Sequence, residues 1–267
     1  MTVAIIGAGV MGEALLSGLV RGGHDAGDLL VGEKRRERAA ELEERYGVQV
    51  VSNIEAASRA DTVVLVVKPQ DMGEVLSEVA THLRAGQLVI SLAAGITTRY
   101  VEEHVPAGIA VIRVMPNTPA LVDEGMAAIS GGTHATEEHL ALAESMLSVT
   151  GRVLRIAEKQ QDAVTAISGS GPAYLFFVVE SMIEAGVHLG LPRSTATELV
   201  VQTVVGSAKL LRETGEHPTV LRERVTSPGG TTAAAIRELE DHKVRAAFIT
   251  AMEAARNRSI ALASSDD

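Results

Sequence analysis

Cysteine and tryptophan are both missing from this chain of 267 residues. The missing thiol excludes disulfides, cysteine nucleophiles, Cys-ligated zinc and iron–sulfur clusters in one step. Aromatic residues are also scarce, with three Tyr and three Phe, so aliphatic side chains must fill the cores. No run of 18 or more uninterrupted apolar residues occurs, and no membrane span is expected. Positive charge is in short supply: the formal net charge is −10, which speaks against a broad nucleic-acid surface. The eight histidines show no HExxH spacing. His134 and His139 lie five apart in a polar stretch and read as surface residues, so no metal is expected. Neither a G-x-S-x-G elbow nor a P-loop is present, which removes hydrolase and kinase readings. The N-terminus enters the strand-like run TVAIIG without a basic region or cleavage site. A signal peptide is therefore not expected, and the cytoplasm is the expected compartment.

What remains is an apolar fraction of 46%, enough for a folded protein of one large or two modest domains. The first part alternates strand-like and helix-like segments. Strands are predicted over 2–7, 29–33, 62–67, 87–95, 110–115, 125–130 and 152–156, with a short one before Asn53. Helices are predicted over 14–21, 36–46, 74–83, 98–104 and 137–147. Such alternation implies βαβ units and a doubly wound parallel sheet. After Glu158 strands cease. Helices are predicted over 158–168, 172–189, 195–213, 219–225, 231–242 and 243–263, leaving the polar tail 264–267. The expected domains are 1–157 and 158–267. Around Pro172 to Val179 the helix is apolar nearly all round. A helix with no polar face must be covered on all sides. A second copy of the chain is the expected cover, with a central place in a single bundle as the alternative.

Gly7-Ala8-Gly9-Val10-Met11-Gly12 fits G-x-G-x-x-G directly after a strand and at a helix start, the context that makes it a dinucleotide fingerprint. Gly7 permits the tight turn, Gly9 the approach of a pyrophosphate, and Gly12 close packing of helix on strand. The second strand ends near Glu33, where ribose specificity is usually set. Glu33 favours the 2′-hydroxyl of NAD, whereas Lys34, Arg35 and Arg36 favour the 2′-phosphate of NADP. Val67-Lys68-Pro69, Ala93-Ala94-Gly95 and Asn117 in the loop Met115 to Pro119 end later strands. Ligands of open α/β sheets bind at such carboxyl ends.

A second constellation lies in the helical half, at Ser227-Pro228-Gly229-Gly230-Thr231-Thr232. Gly229 and Gly230 let backbone N–H groups converge, and the following helix adds its positive end. This is a cradle for a small anion, most simply a carboxylate. The plainer alternative makes Thr231 an N-cap, which leaves the Ser-Pro-Gly-Gly lead-in without a reason.

Taken together, the chain resembles the pyrroline-5-carboxylate reductase family over nearly its whole length. The resemblance rests on the glycine fingerprint, Val67-Lys68-Pro69-Gln70, Ala93-Ala94-Gly95, and Arg113 with Met115-Pro116-Asn117-Thr118-Pro119. It continues through Ser168-Gly169-Ser170-Gly171-Pro172-Ala173-Tyr174, Gly190-Leu191-Pro192 and 227–232. It implies a Rossmann-type domain followed by an all-α dimerisation domain, with an active site between one nucleotide domain and helices of the dimer. It also implies homodimers that often assemble as decamers of five dimers. It places substrate contacts at Ser227, Gly230, Thr231 and Thr232, and matches Thr232 to the threonine whose hydroxyl meets the ring nitrogen. It matches Asn53, Lys68, Pro69, Ala93 and Ala94 to cofactor contacts. Members use NADPH, NADH or both, and Glu33 departs from the small or neutral residue common in NADPH-preferring members.

The implied reaction is hydride transfer to the imine carbon of 1-pyrroline-5-carboxylate, giving L-proline. A protonated imine is already activated, so a pocket of hydroxyls and N–H groups suffices without a catalytic acid pair. Two rivals are a dehydrogenase of 3-hydroxy acids and a non-catalytic nucleotide sensor. The first usually carries a catalytic lysine early in its second domain, whereas here Lys159 and Lys209 both lie away from the Gly/Ser corner. The second leaves the 227–232 cradle without a purpose.

Overall fold

The computed structural model describes residues 1–263; the polar tail 264–267 lies outside them. Eight strands form one sheet: β1 (Val3–Ile6), β2 (Leu29–Gly32), β3 (Gln49–Val51), β4 (Thr62–Leu65), β5 (Leu88–Ser91), β6 (Ala110–Met115), β7 (Gly125–Gly131) and β8 (Gly151–Arg155). Their order is β3-β2-β1-β4-β5-β6-β7-β8. The helices among them are α1 (Val10–Arg21), α2 (Arg36–Tyr46), α3 (Asn53–Arg59), α4 (Met72–Val79), α5 (Thr98–His104) and α6 (Glu137–Leu147). Six more follow: α7 (Gln161–Val164), α8 (Gly171–His188), α9 (Arg193–Thr214), α10 (Pro218–Arg224), α11 (Thr231–Asp241) and α12 (Val244–Ala263).

The first strand is apolar at every position because both faces of the sheet are covered. Val3 and Ile5 join one core with Leu15, Leu16 and Leu19 of α1 and Met146 of α6. Ala4 and Ile6 turn the other way and join a second core with Ala56 of α3 and Met72, Val75 and Leu76 of α4. Successive side chains of a strand point to opposite faces, so one short run feeds two layers.

One junction departs from the expected parallel sheet: β7 runs antiparallel to β6, while β8 is again parallel to β7. The connections explain it. Only a 3₁₀ turn, Thr118–Val122, lies between β6 and β7, too little to carry the chain back across the sheet. The crossover helix α6 lies between β7 and β8 and makes that pair parallel. Gly151 joins the sheet closely, since a Cβ there would sit 2.1 Å from the carbonyl oxygen of Gly125.

The described residues form two units: 1–170 with 255–263, and 171–254. The sequence division after residue 157 follows the loss of strands, the last of which ends at Arg155. In the returning segment of α12, the Ser259 hydroxyl donates to Asp162 Oδ1 at 2.7 Å. In the second unit α8 and α9 pack as an antiparallel pair through small residues. A Cβ on Gly186 would lie 2.9 Å from that of Ala196. The remaining faces are open: α8 has no buried residue, and Phe176, Phe177 and Leu189 are exposed, Leu189 by 82%. The helical path Glu158–His188 is, by length and composition alone, apolar enough to cross a membrane. Polar residues such as Ser168, Ser170 and Glu180 interrupt it, so it holds no unbroken apolar run of that length.

Candidate functional site

The carboxyl ends of β1, β2, β4 and β5 are tied together by backbone bonds. Gly7 N–H donates to Gly32 O at 3.0 Å, Val66 N–H to Ile6 O at 2.8 Å, and Leu92 N–H to Leu65 O at 2.9 Å. These bonds bring the fingerprint, Glu33 to Arg35, Val67 to Pro69 and Ala93 to Gly95 to one edge, around the point where the strand order reverses.

Each fingerprint glycine has its own reason. Gly7 sits at φ +96°, and a Cβ there would lie 2.6 Å from Val66 O. A Cβ on Gly12 would lie 2.1 Å from Gly7 O, so helix α1 can start only with glycine there. Gly9 differs. Its φ is an ordinary −69°, and a Cβ would meet nothing within 4 Å. Neither backbone angle nor internal packing asks for glycine at this place. Approach of an external group to the backbone does, and Gly9 is the N-cap of α1 with no side chain capping it. The first-turn N–H groups of a helix lack intrahelical partners and attract anions. Val10 is exposed beside it and Met11 is half-buried. The cradle fits the pyrophosphate of a dinucleotide.

Beside it opens a cavity of about 380 Å³. Gly7, Glu33, Lys34, Arg35, Asn53 and Val67 line it, joined by Asp71 and Glu74. Arg35 donates to Glu33 from its backbone N–H at 2.9 Å and from Nε and a terminal nitrogen at 3.0 Å. The hydrogen-bonded Arg35 guanidinium holds the Glu33 carboxyl below the ordinary range. Lys34 Nζ lies 3.1 Å from Glu74 and 3.9 Å from Glu78. Asn53 is buried and donates to Glu78 Oε2 at 2.9 Å. Lys68 and Ala94 are exposed at the same edge, while Ala93 and Gly95 are buried.

Asn117 follows β6, and both ends of its amide are engaged. Nδ2 donates to Ser168 O at 3.1 Å, and Oδ1 accepts from Met126 N–H at 2.8 Å. Its visible work is to hold its loop to Thr165–Gly169, a π-helical turn. The sequence did not reveal the partner of Arg113, a buried residue of β6. Glu158 accepts from Thr98 N–H at 2.7 Å and Thr98 Oγ1 at 2.6 Å, and lies 3.4 Å from the buried Arg113 guanidinium. Asp71 and Glu74 were missed too, since a helix start after Lys68-Pro69-Gln70 carries no sign of which cavity it borders.

In the second unit the anion cradle has its own geometry. Gly229 adopts φ +69°, a left-handed angle that only glycine takes without strain. Gly230 N–H donates to Ser227 O at 3.0 Å, closing the turn, and a Cβ on Gly230 would lie 2.5 Å from Ser227 Oγ. The N-cap of α11 is Gly230, extended and without a side-chain cap. Thr231 is therefore the first helical residue, and its role as an N-cap is overturned. Among the described residues no side chain caps this helix start, which leaves its oriented N–H groups for a ligand. Thr232 follows, half-buried.

Comparison with known proteins agrees across the chain. Residues 158–262 match a family model described as pyrroline-5-carboxylate reductase dimerisation, and residues 2–95 one described as NADP oxidoreductase, coenzyme F420-dependent. A pyrroline-5-carboxylate reductase of Corynebacterium melassecola is 48% identical, covering 97% of each chain. The structure of a pyrroline-5-carboxylate reductase from Coxiella burnetii superposes with a TM-score of 0.93 at 38% identity, over 98% of each chain. That of the Plasmodium falciparum pyrroline carboxylate reductase, with NADP bound, gives 0.89 at 31% identity, again over 98% of each.

Proposed function

The chain belongs to the pyrroline-5-carboxylate reductase family, and from that footing we propose that it reduces 1-pyrroline-5-carboxylate to L-proline, the last step of proline biosynthesis. The donor is NADPH or NADH, which when bound supplies the hydride for the imine carbon. The single observation that carries the substrate half is the start of α11. A left-handed glycine, a closed turn and an uncapped helix N-terminus converge on one small anion, as a carboxylate requires.

The residues divide the work. Gly7, Gly9 and Gly12 admit the pyrophosphate to the N-terminus of α1. The small side chains of Ala93 and Ala94 and the bare Gly95 leave room for a flat ring. Ser227, Gly229 and Thr231 hold the carboxylate, Gly230 shapes the site by closing the turn onto Ser227 O, and the Thr232 hydroxyl orients the ring nitrogen. No acid–base pair is needed, because a protonated imine already draws the hydride. The chain's task is to fix orientation and charge.

We assign dinucleotide binding to 1–157, and dimerisation with substrate binding to 158–267. A second copy covers the open faces of α8 and α9, so the homodimer is the working form, and five dimers join as a decamer in the cytoplasm. Light scattering on the purified protein decides the assembly. For the activity, oxidation of NADPH and NADH is followed side by side with pyrroline-5-carboxylate. Substrate-dependent oxidation is expected; binding of the dinucleotide without it would leave only a sensor.

A further inference from the structure

We infer that Glu33 is the specificity-determining residue of the adenosine end, accepting the ribose 2′-hydroxyl and repelling a 2′-phosphate, so that this chain binds NADH more tightly than NADPH. The inference rests on the reading that the fingerprint edge holds a nicotinamide dinucleotide, and narrows which one.

Three observations carry it. The first is placement. Glu33 directly follows β2 and lines the 380 Å³ cavity beside the fingerprint, where ribose recognition falls in this architecture. Its side chain is only 7% exposed, so the carboxylate has little freedom to swing away. Behind it the backbone is pressed close: a Cβ on Gly32 would stand 2.4 Å from Asn53 Oδ1.

The second is valence. Glu33 Oε1 accepts two bonds from Arg35, and Oε2 accepts one. A carboxylate has about four acceptor positions, so Oε2 can take one further donor. A ribose hydroxyl is such a donor. A phosphate oxygen, ionised at neutral pH, is not.

The third is charge. The two cations that could hold a 2′-phosphate are already matched. Arg35 is forked onto Glu33, and Lys34 is held by Glu74 and Glu78. The lining then contains three carboxylates, Glu33, Asp71 and Glu74, against two cations, Lys34 and Arg35. Arg36 is exposed and outside the lining. An incoming dianion would share two cations that are already paired and would sit beside three carboxylates. Such like-charge juxtaposition is how a site rejects a close analogue.

The test is direct binding to the purified full-length protein, by calorimetry with NADH and NADPH and with the fragments 5′-AMP and 2′,5′-ADP. The unphosphorylated member of each pair is expected to bind about tenfold more tightly or better. Glu33→Gln keeps the shape, removes the charge and releases Arg35. It is expected to move both ratios about tenfold towards the phosphorylated member. Glu74→Gln, at an exposed site, releases Lys34 and is expected to move them the same way by less, which provides a second reading should Glu33→Gln fold poorly. Tighter binding of NADPH than of NADH by the unaltered protein would overturn the inference, as would ratios that neither substitution moves. If neither dinucleotide binds, the parent reading fails and this one with it. If both bind in the expected order and pyrroline-5-carboxylate is not reduced, the parent reading alone fails.

Discussion

The two units of this chain treat apolar surface in opposite ways. In the first, Val3, Ile5, Leu16 and Leu30 are wholly buried, because a sheet has two faces and helices cover both. In the second, α8 is the most apolar long helix of the chain and has no buried residue. Phe176 and Phe177 stand in the open. The first unit completes its core from its own sequence. The second makes complete helices but cannot cover them with a few neighbours, and exposed apolar area of this kind marks an interface. Helix formation and core formation are thus separate events here, and only the first is finished within one chain.

The comparison is broken most severely by charging the open face. Phe176→Glu with Phe177→Glu should raise the dissociation constant of the dimer at least about a hundredfold, since each buried Phe contributes roughly 1.5–3 kcal/mol. Sedimentation equilibrium measures this, and an unchanged assembly would place the interface elsewhere. The opposite change strikes the self-sufficient unit. Leu16→Ala, at a wholly buried position, should destabilise the protein by about 2–5 kcal/mol in a denaturant melt.

Two substitutions separate the jobs of the units without unfolding either. Gly9→Val places its side chain where no protein atom lies within 4 Å of the Cβ, so the melting temperature should hold while dinucleotide affinity falls beyond detection. A fall in both would mean that Gly9 serves packing. Thr232→Ala should slow turnover about tenfold to a hundredfold, one hydrogen bond being worth about 1–3 kcal/mol, with dinucleotide affinity retained. An unchanged rate removes its assigned role. The smallest effect is on acid stability. The Arg35 bonds depress the folded-state pKa of Glu33. Its contribution is therefore present above the unfolded value of roughly 4.3 and is lost as pH falls through the lower folded value. Melting temperatures from about pH 7 down to about pH 3 should fall less steeply for Glu33→Gln than for the unaltered protein.

Much of the fold was legible because local chemistry and tertiary packing agree. Helix α5 starts where Thr97 Oγ1 accepts from Tyr100 N–H, and α6 where Thr136 and His139 cap each other. His139, read as a surface residue, is thereby a capping partner. Helix α3 went unforeseen although Ser52 accepts from Glu55 N–H, a serine-to-glutamate spacing that marks a helix start. Its apolar face is only alanine, too faint a period to stand out. The reversal of β7 was hidden for another reason: a strand's sequence carries its faces and not its direction. At the site, Gly7, Gly9, Gly12 and 227–230 could be named because glycine leaves few alternatives. The partners of Lys34, Arg35 and Asn117 could not, because long polar side chains choose among neighbours that only the assembled chain supplies.

The bond from Ser259 to Asp162 gives the chain an order of completion. The first unit contains β1, yet part of it arrives only with α12, after α8 to α11 of the other unit. During synthesis it must wait, one flank unfinished, until every helix of the other unit has left the ribosome. A fragment ending at residue 170 would therefore hold every strand of the sheet and still lack the helical segment that carries Ser259, leaving Asp162 without that partner.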